Sequence, residues 1–233
     1  MGQVPITSYG VVGDGRVAKH FSNYLRLLNI PFKTWSRRKP ETSLADCTVI
    51  LILISDSQIE NFFKENESWM KTKTVIHFSG SLSLENIFGY HPLMTFTNDL
   101  YDLETYRKIV FIGEKGATDF KTVFPQLNNK YFVISKEAKA LYHAMCVMSG
   151  NFTVLLWQNF FQQLKTQWDI PESAAFPYLE QVTKNLMNSS NIALTGPLQR
   201  KDFLTIERNQ KALAESTNPK LKEIYNAFVE TYL

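Results

Sequence analysis

Gly13, Gly15 and Ala18 form a G-x-G-x-x-A arrangement, directly after an apolar run (Ile6 to Val12) and at the head of a helical pattern (Val17 to Leu28). In that context the chemistry is binding of a dinucleotide pyrophosphate. Gly13 permits the tight turn, Gly15 lets backbone N–H groups approach the phosphates, and Ala18 allows helix and strand to pack closely. Arg16 and Val17 open the helix, whose N-terminus presents a positive dipole end to an anion. A glycine-rich turn with no ligand is the plainer alternative. Strand, spacing and helix together favour the dinucleotide. Gly10 lies within the strand and is expected only to pack.

The end of the second strand selects the cofactor. An NAD site commonly carries Asp or Glu about 20 residues after the glycines, accepting from the ribose 2′-hydroxyl. Here the segment reads Trp35-Ser36-Arg37-Arg38-Lys39, with no acid before Glu41. Ser36 can donate to a 2′-phosphate, and Arg37 or Arg38 can pair with it. The expected cofactor is therefore NADP(H), against the alternative of a solvated basic loop. Ser55 and Asp56 follow the strongest strand pattern, and Ser79 follows the next strand, so all three are expected at the carboxyl edge facing the ligand. An ordinary helix cap would also account for Asp56 or Ser57.

Hydride transfer to a carbonyl or imine needs a proton donor near the reacting atom, and histidine is the side chain most readily tuned for it. Of the four histidines, His20 lies on the first helical pattern with no partner signal and reads as a surface or packing residue. His77 lies in a strand ahead of Ser79-Gly80-Ser81. His91, held beside Pro92, is expected in a connection after the fifth strand. Lys139, His143 and Asn151, spaced by four and eight, fall near one helical face. His91, His143 and Asn151 are the candidate catalytic set, although a His and an Asn satisfied inside a helical core explain the last two equally well. Thr195-Gly196-Pro197 reads either as a substrate-edge loop or as a turn between helices. Arg200 and Asp202 beside it read as a capping pair more readily than as an ion pair. There is no HExxH, no nucleophile elbow and no Walker lysine, so no metal site is expected.

The elements that must position these residues alternate strand and helix in the first half. Strand patterns fall at Ile6–Val12, Phe32–Trp35, Cys47–Ile54, Thr74–Phe78, Ile109–Ile112 and Tyr131–Ile134, with helices over Val17–Leu28 and Ser57–Met70. Cys47–Ile54 is a continuous Val/Ile/Leu run, as a parallel strand covered on both faces requires. This spacing predicts βαβ units in a Rossmann-type parallel sheet over residues 1–135. From 136 to 233 only helical patterns remain: Lys136–Trp168, Glu172–Met187, Phe203–Glu215 with Asp202 as N-cap, and a last helix entered at Asn218-Pro219. This second, all-helical domain is expected to serve substrate binding and dimerisation.

Composition narrows the class. The chain has 233 residues, 44% hydrophobic and 20% charged, which argues for a globular protein with a sizeable core. A net charge of +3 is too weak to imply a nucleic-acid partner. Cys47 and Cys146 make neither a zinc pair nor a disulfide framework. Met1 to Ser8 has no leader-like pattern. Ala140 to Leu164 is long enough to span a bilayer, but its many polar residues point to a buried core helix and no membrane partner. A cytoplasmic location is expected.

The glycine loop, S-R-R, I-S-D-S-Q-I, I-H-F-S-G-S-L, H-P-L-M-T-F, Y-H-A-M-C-V-M-S-G-N and A-L-T-G-P-L-Q-R-K-D, in this order, resemble one family. The chain is similar, from about Ile6 to Asp202, to Rossmann-like proteins carrying the C-terminal domain of unknown function numbered 2520. These resemble pyrroline-5-carboxylate reductases and, more distantly, β-hydroxyacid dehydrogenases. The resemblance implies an NADP-type domain, a helical C-terminal domain and a homodimer built on its helices. It supplies no substrate. The Lys and Asn that serve the substrate carbonyl in the dehydrogenases have no clean copy here. Lys201 also departs from the pattern, standing where a small residue, often Gly, is expected.

Two readings follow. One is an NADP(H)-dependent oxidoreductase acting on a small carbonyl or imine in the cleft between the domains, with His91 or His143 as proton donor or orienter. The other is a non-catalytic NADP(H)-binding regulator or partner-binding protein, favoured by the missing lysine and by Phe152, Trp157, Phe160 and Phe161.

Overall fold

The computed structural model describes residues 8–233. The first two residues of the Ile6–Val12 run, and all but the last of the Met1–Ser8 segment, lie outside the described residues. The chain divides into two compact units, at Leu155/Leu156.

In the first unit a seven-stranded sheet runs in the order β2-β1-β3-β4-β5-β6-β7. Its strands are β1 (Tyr9–Val12), β2 (Phe32–Trp35), β3 (Val49–Ile52), β4 (Thr74–His77), β5 (Phe88–Leu93), β6 (Val110–Glu114) and β7 (Tyr131–Ile134). The helices are α1 (Arg16–Leu27), α2 (Asp56–Met70), α3 (Leu103–Lys108), α4 (Phe120–Val123) and α5 (Lys139–Cys146). β1 and β3 are buried at every position, because their residues feed two cores in alternation. Tyr9, Val11 and Leu51 join Ala18, Phe21, Tyr24 and Leu25 of α1, while Val12, Ile50 and Ile52 join Ile59, Phe63 and Met70 of α2. The chain leaves β1 to β2 on one side and returns to β3 on the other. Strand order reverses there, opening a crevice at the carboxyl ends of β1 and β3.

Two features differ from the sequence reading. His91 and Pro92 lie inside β5, not in a connection. β5 pairs with β4 only at Phe88 and Gly89, so Pro92, which has no N–H, sits beyond the end of that ladder. β6 then runs antiparallel to β5, with His91 opposite Ile112. The sheet is thus mostly, not wholly, parallel.

The stretch read as one helix from Lys136 starts at Lys139 and changes winding. A π-helical segment, Val147–Phe152, separates α5 from α6 (Thr153–Trp168). Ser149-Gly150-Asn151, poor helix formers, occupy the middle of that segment. Among the described residues this is the one helix long and apolar enough to cross a membrane. The expectation that it is buried in the core does not hold for the single chain. Leu141, Met145, Met148, Phe152 and Leu155 are all exposed. Their spacing of three and four residues makes an exposed apolar stripe along the helix. The all-helical part follows β7 at Ile134, yet the compact units divide later, because α5 is tied to the sheet through Lys139 and Tyr142.

The second unit contains most of α6, then α7 (Phe176–Asn188), α8 (Pro197–Arg200), α9 (Phe203–Ala214) and α10 (Lys220–Tyr232). Side-chain pairs Asn209–Tyr225 and Gln210–Asn226 join α9 to α10. Asp202 caps α9, accepting from the Thr205 N–H at 3.1 Å and the Thr205 hydroxyl at 2.7 Å. No ion pair joins it to Arg200 among the described residues. Lys201 adopts the left-handed conformation (φ 55°) at the end of α8, which explains the small residue expected at that position.

Candidate functional site

The crevice is a cleft of about 1110 Å³ at the carboxyl edge of the first unit's sheet. Gly13 turns the chain out of β1 with φ 123°, and a Cβ there would collide with the Leu53 carbonyl oxygen. Gly15 is the N-cap of α1 in ordinary extended geometry. A Cβ on it would meet no atom within 4 Å, so the glycine keeps open the space in front of the helix end. No side chain caps α1, and no acid lies in its first turn, where Arg16 and Val17 stand. Among the described residues the first-turn N–H groups therefore have no side-chain cap, and the positive end of α1 faces the cleft.

The far wall comes from the end of β2. The Ser36 hydroxyl is half-turned into the chain, accepting from the Arg38 N–H at 3.3 Å. Arg37 and Arg38 are exposed, and the Arg38 guanidinium lies 3.5 Å from the Asp14 carboxylate across the glycine loop. The Trp35 ring packs on Phe62 at 5.3 Å, and both line the cleft. On the floor, Ser55 precedes α2 without a side-chain cap. Asp56 is not spent on capping either: it accepts from the Ser79 hydroxyl at 2.6 Å and the Ser81 hydroxyl at 3.4 Å. Every residue expected to hold the cofactor, from Gly13 to Ser79, lines this one cleft. Among the described residues no cluster of His, Cys, Asp and Glu is arranged to hold a metal ion.

One residue beyond Ser79 the surroundings become those of the histidines. A Cβ on Gly80 would collide with His143 and fall 3.0 Å from His91, so both rings pack against bare backbone. The two imidazoles stand edge to face at 5.8 Å. His91 Nδ1 is 2.8 Å from the Tyr142 hydroxyl. Burial, then the nearby His143 and Lys139, push the His91 pKa down to about 4, with Asp56 opposing. Beneath them, Lys139 is buried and its ammonium donates to Glu114 Oε2 at 3.1 Å, while Oε1 accepts from the Gly89 N–H at 2.9 Å. Burial lowers the Lys139 pKa, and Glu114 partly restores it. His77 completes the buried group. Its Nδ1 accepts from the Ser79 N–H at 3.2 Å, and its Nε2 has no hydrogen-bond partner among the described residues. Burial first, then Lys139, push its pKa down to about 3.

The structure brings His91 and His143 together but not Asn151. The π-helical turn intervenes, Asn151 is exposed, and no hydrogen bond joins it to either histidine among the described residues. Of the two readings of His20, surface or packing, the packing one holds: its ring is buried, between the Thr97 carbonyl at 3.0 Å and the Tyr106 hydroxyl at 3.0 Å. Thr195-Gly196-Pro197 forms the turn into α8. Glu114 and Tyr142 were missed by sequence reasoning. Glu114 ends an apolar strand, and its only signal is an acid at a buried position. Tyr142 stands beside His143 in a motif read for its histidine.

The model of the family described as Domain of unknown function (DUF2520) matches residues 113–231. No curated protein matches the chain by sequence. Solved structures of the same fold include a Bacteroides fragilis protein named as a candidate NADP oxidoreductase, with TM-score 0.78, 19% identity and 97% of each chain covered. Plasmodium falciparum pyrroline carboxylate reductase, solved with NADP bound, gives 0.60 and 15%, covering 99% of this chain and 97% of that one. An imine reductase from Myxococcus stipitatus, solved with NADP+, gives 0.67 and 10%, covering 96% and 93%. At these identities the likeness is one of fold, a Rossmann-type sheet followed by helices. The family match takes in Glu114, Lys139, Tyr142 and His143 and spans just over half of the sequence, so this chain belongs to the DUF2520 family.

Proposed function

We propose that the protein is an NADP(H)-dependent oxidoreductase that transfers hydride to or from a small carbonyl or imine compound. The observation that carries this reading is the cleft itself. An uncapped helix end behind Gly15 suits a pyrophosphate, and the Ser36-Arg37-Arg38 turn, which carries no acid of its own, suits a 2′-phosphate that would take Arg38 from its 3.5 Å contact with Asp14. Proteins of the same fold solved with NADP include a pyrroline carboxylate reductase and an imine reductase, which favours a C=N substrate.

When bound, the cofactor would supply or accept the hydride at its nicotinamide ring. The chain's own residues do the rest. Asp56, Ser79 and Ser81 fix the floor of the cleft by their mutual hydrogen bonds. Neutral His91 and Tyr142 offer hydrogen bonds to a carbonyl oxygen or imine nitrogen, and His143 narrows the space beside Gly80. The Lys139–Glu114 pair anchors α5 to β5 and β6 and so holds Tyr142 against His91.

The exposed stripe from Leu141 to Leu155 supports a homodimer formed through the helical region, since a seam of this length is costly to leave in water. Two free cysteines fit a cytoplasmic location.

The test is consumption of NADPH by the purified full-length protein with a panel of cyclic imines, ketones and ketone–amine mixtures. Turnover with at least one class supports the reading. Tight NADPH binding with no turnover across the panel would favour the non-catalytic binding protein instead.

A further inference from the structure

The two ends of the cleft carry different charge. Its lining cations, Arg16, Arg37 and Arg38, stand on the glycine loop and the end of β2. Asp56 follows β3, and β1 separates that strand from β2 in the sheet. A dinucleotide whose 2′-phosphate meets Arg37 and Arg38, and whose pyrophosphate meets the α1 end, must carry its nicotinamide onward towards β3 and β4. Asp56 and Ser79 line the cleft on that side, and no Lys or Arg lines it there. Arg38 pairs with Asp14 and Lys139 with Glu114, and among the described residues no ion pair involves Asp56. The turn after β4 fixes this carboxylate. The Ser79 hydroxyl accepts from the Ser81 and Leu82 N–H groups at 3.3 and 3.1 Å, so its one hydrogen is left for Asp56 Oδ2, 2.6 Å away. Ser81 donates to the same oxygen at 3.4 Å. Oδ1 accepts no hydrogen bond among the described residues.

We infer that Asp56 selects a cationic substrate, an iminium ion with no carboxylate of its own. This rests on the oxidoreductase reading and names the substrate class of that same site. A carboxylate on the substrate would meet Asp56 and find no counter-charge at this end of the cleft, whereas an iminium nitrogen gains one. The iminium carbon takes hydride with its electron pair from NADPH, leaving NADP+. The C=N π pair moves to nitrogen, which becomes a neutral amine, and no proton has to be supplied. The positive charge disappears in that step, so Asp56 acts on substrate binding and its effect falls on KM more than on kcat.

The test compares 1-methyl-1-pyrrolinium, a permanently charged cyclic iminium, with 1-pyrroline-5-carboxylate as oxidants of NADPH. The full chain is used at saturating NADPH, so that the ratio of the two kcat/KM values does not depend on cofactor affinity. The wild type should favour the cation at least ~tenfold, and Asp56→Asn should bring the ratio to within about twofold by raising KM for the cation. A ratio that Asp56→Asn leaves unchanged would overturn the inference and return Asp56 to the cofactor or the fold. Equal or faster turnover of the carboxylate imine, or of a neutral ketone, by the wild type would overturn it too. Calorimetry supplies a readout without turnover. The saturated cation N,N-dimethylpyrrolidinium should bind the NADP+-loaded protein and lose at least ~tenfold in affinity in Asp56→Asn. Equal affinity for both proteins would again sink the role of Asp56 alone. A wild-type protein that binds NADPH and reduces no imine, iminium or ketone would overturn the oxidoreductase reading itself.

Discussion

The Lys139 ammonium lies 3.1 Å from a Glu114 carboxylate oxygen, with the two side chains 3% and 0% exposed. Glu114 is the residue that joins three elements: the end of β6, Gly89 of β5 and the first turn of α5. A buried pair of this kind adds little net stability, because desolvation consumes most of the attraction. Removing one partner is a different matter. Lys139→Met leaves the carboxylate unpaired and should cost about 3–5 kcal/mol. Lys139→Met combined with Glu114→Gln should recover part of that loss. Urea denaturation of the three proteins measures both, and equal stability of single and double variants would contradict the account.

The two glycines of the loop should separate folding from binding. Gly13→Ala forces a side chain into φ 123° and against Leu53, at a cost of at least ~1–3 kcal/mol in stability. Gly15→Ala meets open space, so its melting temperature should stay near wild type. Its NADPH affinity should nevertheless fall at least tenfold, about 1.4 kcal/mol. Thermal melts and NADPH titration of both variants read the contrast.

The loop was legible because its signal is local: Gly13, Gly15 and the helix they open lie within a few residues. β1 and β3 were legible for the same reason, since a strand covered on both faces must be apolar throughout. β5 was not, because Gly89 and Pro92 break a strand pattern. Gly89 leaves the space that the Lys139 ammonium fills, and Pro92 lies beyond the end of the β4 ladder, both long-range circumstances. The His91–Tyr142 and Gly89–Glu114 contacts join residues 51 and 25 apart, and nothing in the local pattern of either partner announces the other. Helix α5 with its π-helical extension shows the converse limit. Periodicity finds the apolar stripe but says nothing of what covers it.

Acid should destabilise the protein before its carboxylates titrate. His77 and His91, with pKa values near 3 and 4, bind fewer protons folded than unfolded once the pH drops below about 6.5. Their contribution is therefore fully present above that value. It is lost as the pH falls, through about 4 for His91 and about 3 for His77. Unfolding free energy should decline between pH 6.5 and 5. In His77→Met that decline should be shallower, and an unchanged slope would contradict a neutral buried His77.

Lys201 holds φ 55° at the end of α8. Lys201→Gly removes the left-handed penalty and should stabilise the chain by roughly 0.5–1 kcal/mol. A chemical denaturation midpoint that fails to rise would count against the strain.

The central claim is that the cleft binds NADP(H) through the helix end and the basic turn. Its most direct test is a fluorescence titration of the full chain with NADPH and, in parallel, NADH. Trp35 lines the cleft, so binding should quench its emission. The account predicts NADPH binding at least tenfold tighter than NADH, about 1.4 kcal/mol, with the difference lost in Arg37→Ala/Arg38→Ala. Binding of neither cofactor, or equal binding of both, would contradict it.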